Sequence, residues 1–155
     1  EVKYKTLMRM KQKDGTILSP FKFLDQAKKA KLYPIMTRIM IDKACEYFRD
    51  KTNQFSINLT LQDITNKHTN EFLIAKLKQT NTANRVILEI VESEGIEEFE
   101  EVSEFISRVK KIGCKIKKRI VKNSESISKK EITKVFFIVS SIIWFNTALM
   151  LSSEI

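Results

Sequence analysis

The sequence predicts an α/β domain that opens with a β-hairpin and continues in parallel βα units. Three observations carry this prediction: a strand-like opening closed by Asp14-Gly15, strict apolar–polar alternation over Gln54 to Leu59, and helical spacing of apolar residues between and after the strands. Strands and helices alternating in this cadence build a parallel sheet with right-handed crossovers, in which functional groups gather at the C-terminal ends of the strands. An α/β barrel and a doubly wound sheet both satisfy the pattern. The chain has three glycines and neither a GxGxxG nor a Walker pattern, so dinucleotide and P-loop sites have no local support.

Val2 to Met10 mixes apolar and polar residues as a strand does, and Asp14-Gly15 is the tight-turn pair that returns the chain along Thr16 to Leu18. Ser19-Pro20 supplies a helix cap and a proline at the first helical position, which predicts a short helix over Phe21 to Ala30, and Pro34 repeats the device. Ile35, Ile39, Met40, Ala44, Tyr47 and Phe48 step by three and four, giving the next helix one apolar stripe for the core. In the strand Gln54 to Leu59, Phe55, Ile57 and Leu59 share one face, and Ser56 and Asn58 the other. Asn70 to Thr80 reads as a helix and Val86 to Val91 as a buried strand ending at Glu92. Ile96, Phe99, Val102, Phe105, Ile106, Val109 and Ile112 keep helical spacing, with glutamates early, Lys110 and Lys111 late, and Gly113 as the stop. Cys114 to Val121 begins one more strand. The lone His68 lies near a helix start without a nucleophile or metal partner, and reads as a surface or capping residue.

The 155 residues, 43% hydrophobic and 30% charged, suffice for one domain with a sizeable core and exclude intrinsic disorder. The net charge of +9 suggests an anionic partner, but it is concentrated. Lys117, Lys118, Arg119, Lys122, Lys129, Lys130 and Lys134 face only Glu125 and Glu131 in the same stretch. That run has no interleaved aromatics, which speaks against nucleic acid as the partner. Cys45 and Cys114 stand far apart with no ligand at metal spacing, which excludes a zinc site and a secreted disulfide scaffold and fits a reduced cytoplasmic setting.

Three segments follow: an α/β domain over 1–116, a basic linker over 117–134 and an apolar tail over 135–155. Val135 to Leu151 is uncharged and is expected to be helical; at about 1.5 Å per residue it would be roughly 26 Å long, slightly short of the ~30 Å core of a bilayer. Three readings stand side by side: a membrane helix that attaches the chain to the inner membrane with its domain on the cytoplasmic side, a buried C-terminal helix, or a lost coding frame near Lys117.

Tyr4-Lys5-Thr6-Leu7-Met8-Arg9, followed by Asp14-Gly15, Leu18-Ser19-Pro20, Phe21 and Phe23, resembles the opening of an EAL domain, whose pattern is Tyr-Glu-Ala-Leu-x-Arg, a hairpin and a proline-started helix. Phe55-Ser56-Ile57-Asn58-Leu59-Thr60 and Leu88-Glu89-Ile90-Val91-Glu92-Ser93 are similar to the family's second and third motifs, and order and spacing agree from Tyr4 to Lys115. The resemblance implies a partial TIM-like (β/α) barrel of EAL type. It further implies a cyclic di-GMP phosphodiesterase ancestry in which Mg²⁺ or Mn²⁺ activates a water for in-line attack on a phosphodiester. On this reading Asn58 and Glu89 stand at metal-ligand positions and Glu92 supports the metal shell. Arg9 pairs with a substrate phosphate, and Leu18 and Pro20 line the substrate groove.

Two departures matter. Lys5 stands where the family motif has its glutamate, a cation in place of an anionic ligand. Beyond Gly113 the family pattern has an Asp-Asp-Phe-Gly strand end and then a catalytic lysine; here Lys115 onward reads KIKKRIVKNSESISKK, so no catalytic residue is intact. The resemblance therefore implies an EAL homologue silent as an enzyme, with metal weakly bound or absent. The alternative is a cyclic di-GMP-binding or protein-interaction module, tail-anchored if the apolar tail inserts. A missing barrel half would also leave a sheet edge that a homodimer or a regulatory domain could cover.

Overall fold

The computed structural model describes residues 3–92, 100–120 and 132–140 of the chain. The opening strand β1 (Lys3–Lys11) turns back through Asp14 and Gly15 into the short β2 (Ile17–Leu18), pairing Met10 with Leu18. The turn follows from residue chemistry: the Thr16 amide donates to the Asp14 carboxylate at 2.9 Å, and Gly15 sits at φ 89°, where a side chain would be strained. The expected helix over 21–30 is divided into a 3₁₀ turn at Pro20–Lys22 and α1 (Leu24–Lys29).

Helix α2 (Tyr33–Phe48) leads to β3 (Gln54–Leu59), α3 (Leu61–Thr65), α4 (Lys67–Gln79) and β4 (Val86–Glu92). After them come α5 (Glu100–Lys111), β5 (Lys115–Ile120) and β6 (Ile132–Ser140). The sheet runs β2-β1-β3-β4-β5, with β6 on the other side of β1. Every pairing except the hairpin is parallel, in the βα cadence expected of a partial barrel.

The core lies where the helices cover one face of this sheet. Phe55, Ile57 and Leu59 of β3 and Val86, Leu88 and Ile90 of β4 are buried there against Leu73 and Leu77 of α4 and Val102, Phe105 and Val109 of α5. Alternation thus sets the direction of each strand residue, and Ser56, Asn58 and Glu89 belong to the opposite face. Gly113, at φ 97°, ends the turn after α5 and lets the chain enter β5. His68 is exposed in the first turn of α4.

The α2 stripe is rotated from its expected position. Met36, Thr37, Met40, Ile41, Ala44, Cys45 and Phe48 are buried, whereas Ile35 and Ile39 are only partly so and Tyr47 is 45% exposed. Lys51 lies over the Tyr47 ring at 4.0 Å, so the ring is used at the surface, while α4 and the sheet together select the neighbouring stripe.

The tail needs a larger correction. Ile132–Ser140 is not helical but a strand, in register with all nine residues of β1 from Lys3↔Ile132 to Lys11↔Ser140. Val135, Phe136, Phe137, Ile138 and Val139 are β-branched or aromatic, and the otherwise open edge of β1 offers them a full ladder of backbone partners. The expected basic linker over 117–134 likewise contributes its first residues to β5 and its last to β6, and residues 121–131 lie outside those described. The remainder of the tail, 141–155, lies outside them too; among the described residues no helix is long and apolar enough to cross a membrane.

Candidate functional site

The face of the sheet turned away from the helices collects the polar residues of the strands. Lys5 of β1 is in register with Ser56 of β3, Asn58 of β3 with Glu89 of β4, and Glu89 with Lys117 of β5. Arg9 follows Lys5 by four residues and therefore shares its face, about 13 Å further along β1. The period of two thus brings Lys5, Asn58 and Glu89 together from three strands.

The Lys5 ammonium donates to Glu89 Oε2 at 2.8 Å, and the two side chains are 19% and 10% exposed. Little water screens such a pair, so each charge depends on the other: removing one partner leaves a desolvated charge alone. Beside it, Asn58 Oδ1 is buried and has no hydrogen-bond partner among the described residues. A buried acceptor without a donor carries a desolvation cost, and adjacent to a carboxylate it is an environment suited to a cation.

Of the other sequence-predicted residues, Arg9 is half-buried and donates to the Met8 carbonyl at 2.8 Å. Leu18, paired with Met10, packs against the smaller cluster of Phe23, Ala27 and Met36, and Pro20 starts the 3₁₀ turn. Glu92 ends β4, and its side chain lies outside those described.

A divalent cation does not fit this arrangement. Mg²⁺ and Mn²⁺ need several oxygen ligands, preferably carboxylates. Among the described residues no three His, Cys, Asp or Glu side chains come together to hold a metal, and the one carboxylate beside Asn58 is engaged by an ammonium.

A second network, absent from the sequence-based expectations above, fixes the chain just beyond Asn58. Thr60 caps α3: Asp63 Oδ2 accepts from the Thr60 amide at 2.9 Å and hydroxyl at 2.8 Å, and the Asp63 amide returns a bond to Thr60 Oγ1. Tyr33, at the start of α2, donates its hydroxyl to the same Oδ2 at 2.9 Å. Burial, and next the Asp63 charge, push the Tyr33 hydroxyl from 10.0 up to about 12. The Thr60-x-x-Asp63 spacing is the signal that identifies this capping box in the sequence.

Asp63→Ala is expected to cost about 2–3 kcal/mol, since it strips the cap and leaves the Tyr33 hydroxyl buried without its acceptor. Urea denaturation checks this, with Asp63→Asn retaining an acceptor oxygen and losing less. A change within about 0.5 kcal/mol for Asp63→Ala would mean that the network does not hold α3 against α2.

Comparison with known proteins agrees with this architecture. The chain is similar in structure to the PaMucR phosphodiesterase in its c-di-GMP complex, with a TM-score of 0.64 and 19% identity over 74% of this chain and 50% of that one. It is also similar to the Xanthomonas citri FimX EAL domain in complex with c-diGMP, with a TM-score of 0.60 and 15% identity over 73% and 51%. The c-di-GMP-bound S helix-GGDEF-EAL portion of Vibrio cholerae LapD gives a TM-score of 0.60 and 19% identity over 68% and 27%. This chain therefore spans about half the length of the first two and about a quarter of the third, and identities this low establish a shared fold. No curated protein sequence matches it. The family model of the EAL domain matches residues 1–117, and the chain belongs to the EAL domain family.

Proposed function

We propose that this chain is a degenerate EAL-type phosphodiesterase homologue that does not hydrolyse cyclic di-GMP. The observation that supports the reading is the ion pair between Lys5 and Glu89. In-line hydrolysis by the family's chemistry requires cations that activate water and take up charge on the phosphodiester. Here the carboxylate at a ligand position is neutralised from within the chain, and β5 is followed by Val121-Lys122-Asn123-Ser124, where the family pattern has Asp-Asp-Phe-Gly. A cytoplasmic setting suits this role, as Cys45 and Cys114 are both buried free thiols.

A second reading, binding of cyclic di-GMP without turnover, is favoured by one feature. Arg9 shares a face with Lys5 and stands at the position where the family motif has its phosphate-pairing arginine, and a guanidinium needs no metal to bind a phosphate. The similar structures described above contain c-di-GMP bound to those proteins.

The purified chain incubated with cyclic di-GMP and Mg²⁺ or Mn²⁺ is expected to give no linear dinucleotide by chromatography. Metal-dependent product formation would sink the proposal. Calorimetry with cyclic di-GMP separates the two readings: micromolar affinity lost in Arg9→Ala supports a receptor, and no binding heat leaves the silent homologue alone.

A further inference from the structure

The Lys5–Glu89 pair and the unpartnered Asn58 oxygen lie side by side on the open face of the sheet. Three facts meet at one place: an ammonium 2.8 Å from a nearly buried carboxylate, an amide oxygen buried without a donor among the described residues, and a strand register that sets that amide beside that carboxylate. Asn58 and Glu89 come from neighbouring strands in direct register, so their side chains start about 4.8 Å apart and project from the same face. Lys5 reaches Glu89 across β3, from the strand on its far side. The ammonium bonds Glu89 and leaves the Asn58 oxygen without a donor, so Lys5 supplies the charge of a cation at this place but only part of its contacts.

We infer that the Lys5 ammonium is a built-in substitute for a divalent ion, which excludes such ions from this face and makes its stability independent of them. The inference rests on reading Asn58 and Glu89 as the family's ligand positions. It deepens the proposal above by stating why the chain is silent, and it is tested without cyclic di-GMP, so turnover and metal binding can fail separately. A divalent ion approaching Glu89 meets a fixed like charge within hydrogen-bond distance of its only described carboxylate ligand, and the desolvated setting strengthens that repulsion.

Removing the ammonium should therefore expose the site. Lys5→Glu replaces a cation with an anion beside Asn58 and Glu89 and completes a set of three oxygen donors. Without metal, this variant brings two carboxylates together in a poorly solvated position and should melt lower than the wild-type chain.

The experiment uses the full chain with Mn²⁺ as the probe, followed by electron paramagnetic resonance of free Mn²⁺ and by thermal melting with Mn²⁺ or with EDTA. The wild-type chain is expected to bind no Mn²⁺ at millimolar concentration and to melt identically in both. Lys5→Glu is expected to bind at least on the order of a hundredfold more tightly, since reversing a charge next to a divalent ion exceeds two tenfold steps of affinity. Its melting temperature should rise with Mn²⁺ and fall with EDTA. Adding Glu89→Gln to Lys5→Glu should weaken that response.

Equal Mn²⁺ binding by the wild-type chain and Lys5→Glu would overturn the inference, because Lys5 would then not exclude the ion. A folded Lys5→Glu variant indifferent to Mn²⁺ would overturn it as well, because the site would not accept a cation. Should Lys5→Glu fail to fold, Lys5→Gln carries the same test: it removes the charge while keeping a polar side chain. A Mn²⁺-dependent rise in its melting temperature supports the inference, and the absence of one overturns it.

Discussion

Phe48→Ala is expected to destabilise the chain by about 3–5 kcal/mol, a third or more of the stability of an ordinary domain. Phe48 is fully buried at the end of α2, and its ring stacks on Phe55 of β3 with centroids 4.3 Å apart and planes at 4°. Tyr4 of β1 meets the same ring at 5.5 Å, and Tyr47 meets it edge-on at 5.0 Å. Such ring pairs add about 0.5–1.5 kcal/mol beyond the area they bury. The Phe48 carbonyl also accepts from Arg85 at 2.9 Å, which fixes the helix end and limits how far the gap can close. The comparison is Tyr47→Ala, one position earlier and half exposed, which should cost about 1 kcal/mol or less. Urea denaturation of the two variants decides the matter; equal losses would show that Phe48 does not join α2 to the sheet.

The second large effect is expected at alkaline pH. Burial, in both cases the leading cause, raises the Cys45 thiol from 9.0 to about 11 and the Tyr33 hydroxyl from 10.0 to about 12. A group whose folded-state value is raised stabilises the fold fully below its unfolded value and ceases to do so as the pH rises through the folded value. For Cys45 the loss therefore runs from pH 9 to about 11, and for Tyr33 from pH 10 to about 12. At 1.36 kcal/mol per unit, each contributes about 2–3 kcal/mol to the decline. Lys76, raised first by its hydrogen bond to Asp42 and then by that to Glu46, acts in the same direction on losing its proton. Burial raises the Cys114 thiol from 9.0 to about 11 as well, so it loses its contribution over the same window as Cys45. The urea midpoint is thus expected to hold steady from pH 7 to 8.5 and to fall steeply above 9, with Cys45→Ala making that fall shallower. A midpoint that stays level to pH 11.5 would contradict the burial of these groups.

Much of the architecture is written locally. Asp14-Gly15, the alternation of Phe55, Ile57 and Leu59, and Gly113 at a positive φ each depend on a few adjacent residues, so the hairpin, β3 and the end of α5 can be read from the chain directly. The three short motifs in register likewise point to the EAL family without any tertiary contact, and the family match over residues 1–117 agrees. The capping box at Thr60 and Asp63 is equally local, but its signal is weak because it sits in a five-residue helix between two stronger patterns.

The remainder required the tertiary structure. An apolar run has no period that separates helix from strand, and only the open edge of β1 made Ile132–Ser140 a strand. The stripe of α2 is broad enough in sequence to be rotated either way, and its packing against α4 and the sheet assigned Met36 and Ile41 to the core and Tyr47 to the surface. Sequence alone determined that Lys5 stands at a position of negative charge in the family. That this lysine closes on Glu89, 84 residues away, while the Asn58 oxygen stays buried beside it, was decided by the register of three strands, because such a contact depends on sheet geometry that no local pattern encodes.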